Sequence, residues 1–161
     1  MSNETTLKHL NTALQMELTA THQYQLHAHV LEDWGLDLLA AKMREESSEE
    51  TGHSNRFLER IFELDGEPEM AFNATPKVAK SLRNMFEMDM ADEKEAIDFY
   101  TKAAKDAFAA DDLKTKRLFE SIAIDEVGHK NWLDLQLSLI ERIGEQNYAS
   151  KYVSGADAGE D

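Results

Sequence analysis

Glu50-Thr51-Gly52-His53-Ser54-Asn55 returns 76 residues later as Glu126-Val127-Gly128-His129-Lys130-Asn131. Each copy trails a Glu and a Tyr at matching distances, Glu17 and Tyr24 in the first half, Glu93 and Tyr100 in the second. Both halves read Glu, seven residues to Tyr, 26 more to Glu, and three to His. A Glu and a His three apart share one face of a helix, where together they can grip one ion. A single such pair is a common accident of helical sequence. Two in register, each with an equidistant upstream Glu, are hard to obtain by chance, and they predict a metal site written twice.

Around the motif, the apolar spacing gives four long helical patterns over residues 4–34, 36–64, 79–110 and 112–143, with a short fifth over 145–153. Gly35 breaks the first from the second, Gly66 ends the second, Asp111-Asp112 caps the fourth and Gly144 closes it. Both prolines, Pro68 and Pro76, fall near the one long connection, Asp65 to Thr75, which leaves the remaining chain free for helix. Short links join antiparallel neighbours, whereas this connection is long enough to cross over along the bundle. The expected fold is all-α, a four-helix bundle with a crossover between helices 2 and 3 and a short C-terminal helix. It occupies residues 1–153, and the small, acidic residues 154–161 read as a disordered tail.

Composition narrows the chemistry. The 161 residues, 42% hydrophobic, suit one domain with a sizeable core. With no cysteine, disulfides, thiolate zinc and cysteine-ligated clusters are excluded, so any metal falls to oxygen and nitrogen donors. A formal charge of -15 disfavours nucleic acid and anionic membrane as partners and favours cations. No window is apolar for long enough to span a bilayer, and the opening Met-Ser-Asn-Glu-Thr-Thr lacks a signal-peptide plan, so a cytoplasmic location is expected.

The heptad-like inner stripes place the motif residues among core positions. The first helix reads Leu7, Leu10, Leu14, Glu17, Thr21, Tyr24, Ala28, Leu31, and the second Leu36, Leu39, Met43, Glu46, Glu50, His53, Phe57, Leu64. The third reads Leu82, Phe86, Asp89, Glu93, Ala96, Tyr100, Ala103, Ala107, and the fourth Phe119, Ile122, Glu126, His129, Leu133, Gln136, Ile140. Glu17, Glu50, His53, Glu93, Glu126 and His129 therefore face one core. Four buried carboxylates would repel one another and cost several kcal/mol each without counter-charge. No basic residue lies on these stripes, whereas two divalent cations would balance four glutamates. Two helices with a Glu each and two with Glu-x-x-His make a carboxylate di-iron bundle.

From about residue 4 to residue 153 the chain resembles a bacterioferritin. The marks are Met16-Glu17-Leu18, Gln23-Tyr24, Leu26-His27-Ala28, Asp33-Trp34-Gly35, Glu50-x-x-His53, Arg60-Ile61, Asp125-Glu126-x-Gly128-His129, Trp132-Leu133 and Gln146-Asn147-Tyr148. The resemblance implies a ferritin-like bundle in a homo-oligomeric shell of twenty-four subunits. Such a shell oxidises Fe(II) with O2 or H2O2 and stores it as a ferric mineral. It implies two irons per subunit, Glu50 and Glu126 bridging, Glu17 and Glu93 terminal, His53 and His129 completing one iron each. Tyr24 would supply an electron or hold a ligand by hydrogen bonding.

The family's haem-ligating methionine lies between the Glu and His of the second helix, and here that position is Thr51. A hydroxyl does not replace a thioether on haem iron, which argues against haem in a shell of this chain alone. A methionine-bearing paralogue in a mixed shell would restore it. The family's inner-surface histidine position corresponds to Glu45, and with Glu46 and Glu49 it either passes iron inward or forms a solvated acidic face. Trp132 and the four histidines outside the repeat, His9, His22, His27 and His29, read as packing or surface residues. The alternative function is a non-storage di-iron oxidase or peroxidase of rubrerythrin type. Against it stand Ala96 where a further Glu is usual and the absence of a four-cysteine domain.

Overall fold

A computed structural model describes residues 2–155. It contains five helices, α1 (Ser2–Asp33), α2 (Asp37–Glu63), α3 (Leu82–Ala109), α4 (Leu113–Ile143) and α5 (Glu145–Ser150), with no strand among the described residues. None of these helices is long and apolar enough to cross a membrane. Of the expected tail, residues 156–161 lie outside the described residues.

Two expected boundaries shift by three residues, each for a local reason. α3 starts at Leu82 rather than at 79 because Ser81 is its cap, extended at φ -157°, with its Oγ accepting the Asn84 N–H at 3.0 Å. α5 stops at Ser150 rather than 153 because the following backbone turns back over α2. There Tyr152 O accepts the Leu38 N–H at 3.0 Å and Asp37 Oδ1 accepts the Ser154 N–H at 3.0 Å. The left-handed residue that turns the chain away after α2 is Asp65 (φ 55°), not Gly66. Gly66 is small for another reason, since a Cβ there would collide with Leu7 Cδ2. Asp112 does cap α4, its Oδ1 accepting the Thr115 N–H at 3.0 Å.

The three-residue link through Gly35 (φ 81°) folds α2 antiparallel against α1, and α4 returns likewise along α3. The crossover climbs α1 in four-residue steps. Gln15 Nε2 donates to Glu69 O, the Asn73 N–H donates to Thr19 Oγ1, and Gln23 bonds both the N–H and the O of Lys77. Those contacts carry the chain back to the start of α3, which runs antiparallel to α1. Hydrogen bonds from His9 to Asp106 and from His27 to Asp89 mark that register.

The apolar core is in two parts. One holds Leu31, Leu39, Met43, Met85, Phe86, Leu133 and, from α5, Tyr148. The other holds Leu10, Leu14, Phe57, Ile61, Tyr100, Phe119 and Ile122. Between them, midway along the bundle, lies a polar layer.

Candidate metal centre

The polar layer is made of the six repeat residues. Glu17 comes from α1, Glu50 and His53 from α2, Glu93 from α3, and Glu126 and His129 from α4. The carboxylates are at most 4% exposed. Glu and His three apart on α2 and on α4 share one face, which is why each helix delivers both. His53 Nδ1 stands 3.0 Å from Glu126 Oε1, 3.4 Å from Glu50 Oε2 and 3.6 Å from Glu17 Oε2. His129 Nδ1 stands 3.2 Å from Glu50 Oε1, 3.5 Å from Glu93 Oε1 and 3.9 Å from Glu126 Oε2.

Two donor sets result, Glu17-Glu50-His53-Glu126 and Glu50-Glu93-Glu126-His129, each with its ligand atoms within 4.8 Å of one another. They share Glu50 and Glu126. The two imidazole rings lie nearly parallel, 6.4 Å between centroids.

Most atoms facing this space have no hydrogen-bond partner. They are Glu17 Oε2, both oxygens of Glu50, Glu93 Oε2, Glu126 Oε1 and the Nδ1 atoms of both histidines. Buried polar atoms are otherwise almost always satisfied, so seven converging orphans mark a place for a cation rather than a packed core. All seven are oxygen or imidazole nitrogen, donors suited to iron, manganese or zinc.

The outward atoms are, by contrast, well held. Tyr24 OH donates to Glu93 Oε1 at 2.8 Å and Tyr100 OH donates to Glu17 Oε1 at 2.5 Å. Each tyrosine therefore steadies the glutamate of the other half. His53 Nε2 meets Asp125 Oδ2 at 3.1 Å, and His129 Nε2 meets Glu49 Oε2 at 2.6 Å and Glu46 Oε2 at 3.0 Å. A carboxylate on the far nitrogen fixes the ring and strengthens its other nitrogen as a ligand.

Without a cation the layer holds protons. Burial, then the Glu50 charge, pushes Glu17 well above the carboxylate range, and the same causes push Glu126 up to about 11. Burial would likewise raise Glu50, but the close approach of Glu17 and both histidines outweighs it and holds Glu50 below that range. Burial would lower the histidines. The nearness of Glu126, Glu17 and Glu50 instead drives His53 up, and that of Glu50 and Glu93 brings His129 up to about 12. Burial and the adjacent carboxylates keep Tyr24 and Tyr100 as O–H donors, well above the phenol range.

Several neighbours take contacts that the sequence reading did not assign. Glu46 is 5% exposed, held by Lys42 Nζ at 2.7 Å and facing His129, so it is no part of a solvated acidic face, although Glu45 and Glu49 are exposed. Asp125 and Glu49 each precede the motif glutamate of their own helix and contact the histidine of the other. The repeat is thus acid-Glu-x-x-His in both copies, a signal available in the sequence. His27 and Asp89 form a buried pair at 2.8 Å beside Tyr24. Trp132 packs edge-on against Phe86 under Lys42, as a packing residue.

The ferritin-like domain family matches residues 7–143. Bacterioferritins of Rhodobacter capsulatus and Brucella melitensis are 38% and 34% identical over 154 residues, covering 96% of this chain and 96% of each relative. The solved R. capsulatus bacterioferritin, described with a metal-free dinuclear site and a haem iron, superposes with a TM-score of 0.92 at 37% identity, covering 97% of this chain and 98% of that one. The Mycobacterium tuberculosis bacterioferritin BfrA follows with 0.89 at 34% identity, covering 92% and 94%. The chain belongs to the ferritin-like family and, within it, to the bacterioferritins.

Proposed function

We propose that this chain oxidises and stores iron, with Fe(II) as substrate at the centre shared by Glu17, Glu50, His53, Glu93, Glu126 and His129. The observation that carries the reading is the set of seven orphaned, buried oxygen and nitrogen atoms in two donor sets sharing two carboxylates. Two Fe(II) ions bring four positive charges to four glutamates, with both histidines neutral. Glu50 and Glu126, common to both sets, are the bridging ligands; Glu17 and Glu93 are terminal, and each histidine completes one iron. Carboxylate donors favour the ferric state.

Oxidation takes one electron from each of two Fe(II) ions. The pair reduces O2 with two protons to H2O2, or H2O2 with two protons to two waters. The chain's own contribution is to hold the ligand atoms open and to move protons. Tyr24 and Tyr100 fix Glu93 and Glu17, Asp125 and Glu49 fix the histidines, and the layer gives up its protons as cations enter.

The storage product is a ferric mineral inside a cytoplasmic shell of twenty-four copies. Thr51 is exposed and its hydroxyl is turned back onto Ser47 O at 3.0 Å, so a shell of this chain alone carries no haem, and a methionine-bearing paralogue would be needed to supply it. The alignment with bacterioferritins over nearly the whole chain leaves no observation favouring a rubrerythrin-type peroxidase.

The test is to add a few hundred Fe(II) per assembly in air, then assay iron and protein across a size-exclusion peak. Iron far above two per chain on a very large particle is expected. Iron stopping near two per chain, the surplus precipitating, would refute storage. Fast oxidation that survives intact in both Glu93→Ala and His129→Ala would refute the site.

A further inference from the structure

The chain has 17 lysines and arginines against 32 acids, yet four of those bases meet in one place. Between the last turns of α2 and the first turns of α4 lies a cavity of about 330 Å3, roughly ten water volumes. Arg56 and Arg60 line it from α2, Lys114 and Arg117 from α4, and its carboxylates are Glu59 and Glu63. Arg56, Glu59, Arg60 and Glu63 fall at i, i+3, i+4 and i+7 of α2, as do Lys114, Arg117, Leu118 and Ser121 of α4, so each helix turns a single face to the cavity.

Two of the bases are spent on the fold. Arg60, its side chain 12% exposed, donates to Thr115 Oγ1 at 2.8 Å, to Glu63 Oε2 at 2.9 Å and to Asp112 Oδ1 at 2.9 Å. Lys114 Nζ meets Glu63 Oε1 at 2.6 Å. The other two bases are not so engaged. Arg56 is half-buried and makes one side-chain hydrogen bond, from Nη2 to the neutral Ser121 Oγ at 3.1 Å, and among the described residues the Arg117 guanidinium has no partner. Glu59 is exposed and pairs with neither. A guanidinium carries five N–H donors in a planar fork, so most donors of these two arginines stay open beside the cavity.

The placement is also electrostatically costly. Lys114, Lys116 and Arg117 fall in the first two turns of α4, at the positive end of the helix dipole, with no acid in the first turn to offset them. Lys116 is met by Glu120 at 3.2 Å and the capping Asp112 is taken by Arg60, which leaves Arg117 uncompensated. An anion in the cavity would satisfy the open donors and the misplaced charge together.

We propose that this cavity binds a phosphate dianion, with Arg56 and Arg117 as its forked donors and Lys114 as a further positive charge. The donors select the ligand class. A guanidinium fork matches two oxygens of a tetrahedral oxyanion at once, whereas a small monovalent anion offers no such match and is repelled by a chain charge of -15. The cavity is larger than the ion, so a phosphate monoester enters as readily as free phosphate. None of these residues belongs to the di-metal layer, and the proposal does not rest on the ferroxidase reading.

The probe is radiolabelled inorganic phosphate, measured by equilibrium dialysis at fixed ionic strength against the assembled full-length protein treated with chelator. Arg117→Gln removes a partnerless, exposed side chain, Arg56→Lys keeps the charge and removes the fork, and Lys8→Gln removes one exposed charge from α1. Saturable uptake of about one phosphate per chain is expected, weakened roughly tenfold in each arginine variant and unchanged in Lys8→Gln. Displacement of the label by glycerol phosphate would assign the site to phosphate groups carried on small molecules, and its failure to displace would assign it to the free ion. No saturable uptake by the wild type, wild-type affinity in either arginine variant, or an equal loss in Lys8→Gln would overturn the proposal.

Discussion

Replacing Glu126 by Gln should stabilise the metal-free protein while disabling its metal response. Glu126 is 2% exposed, and burial followed by the Glu50 charge pushes it up to about 11. The folded chain therefore binds a proton at this carboxyl that the unfolded chain releases near its ordinary value of 4.5. Stability associated with the group is fully present below about pH 4.5 and is lost as pH rises towards 11, at about 1.4 kcal/mol per pH unit. Between 4.5 and 7 that amounts to about 3 kcal/mol. An amide has nearly the shape of the protonated acid and no such dependence, and its NH2 can donate to the Glu93 carboxylate, which interacts with this side chain.

At pH 7 in the presence of chelator, Glu126→Gln should gain about 3 kcal/mol, or roughly 6–12 °C in Tm for a chain of this size. With metal the order reverses. The wild type gains about 4.1 kcal/mol at a thousandfold excess over Kd, and the variant, short of one bridging carboxylate and one negative charge, gains far less. Thermal unfolding of both proteins at matched concentration, at pH 5 and 7, with chelator and then with Zn2+, checks this. A variant less stable than the wild type in chelator at pH 7 would refute the reasoning. So would a variant whose stability advantage over the wild type does not grow between pH 5 and 7.

Three further outcomes are expected. Filling the centre of the wild type at pH 7 with two divalent ions should release roughly four protons per chain, from Glu17, Glu126, His53 and His129, as read in a lightly buffered solution with a pH dye; release of one or none would contradict the protonation described. Tyr100→Phe removes the 2.5 Å bond to Glu17 and should lower stability by about 1–2 kcal/mol and slow iron oxidation, whereas unchanged stopped-flow traces would show that Glu17 needs no such support. Thr51→Met restores a thioether at an exposed position of α2 and should give the assembled protein a Soret band on adding haem that the wild type lacks; equal haem uptake by both would show that position 51 does not decide it.

Much of this protein is legible in its sequence because a helix repeats every few residues. Two copies of Glu-x-x-His with equidistant glutamates force four helices and turn six donors to one side, and local chemistry at Asp112 and Gly144 sets where the fourth helix begins and ends. What periodicity does not carry is the axial register between helices. Tyr24 shares a face with Glu17 on α1, yet its hydroxyl reaches Glu93 on α3, while Tyr100 reaches back to Glu17. Asp125 sits beside Glu126 in the chain but serves His53, 72 residues away. The inner stripe admitted Asp89 and left His27 among packing or surface residues, so their pairing went unread, and Glu46 read equally well as core or as surface. Those choices depend on how far each helix slides along its neighbour. That offset is set by the crossover stepping up α1 and by the two apolar clusters closing on either side of the polar layer. Sequence determined which atoms face inward; tertiary packing decided which of them meet, because contact requires agreement in height along the bundle as well as in direction around each helix.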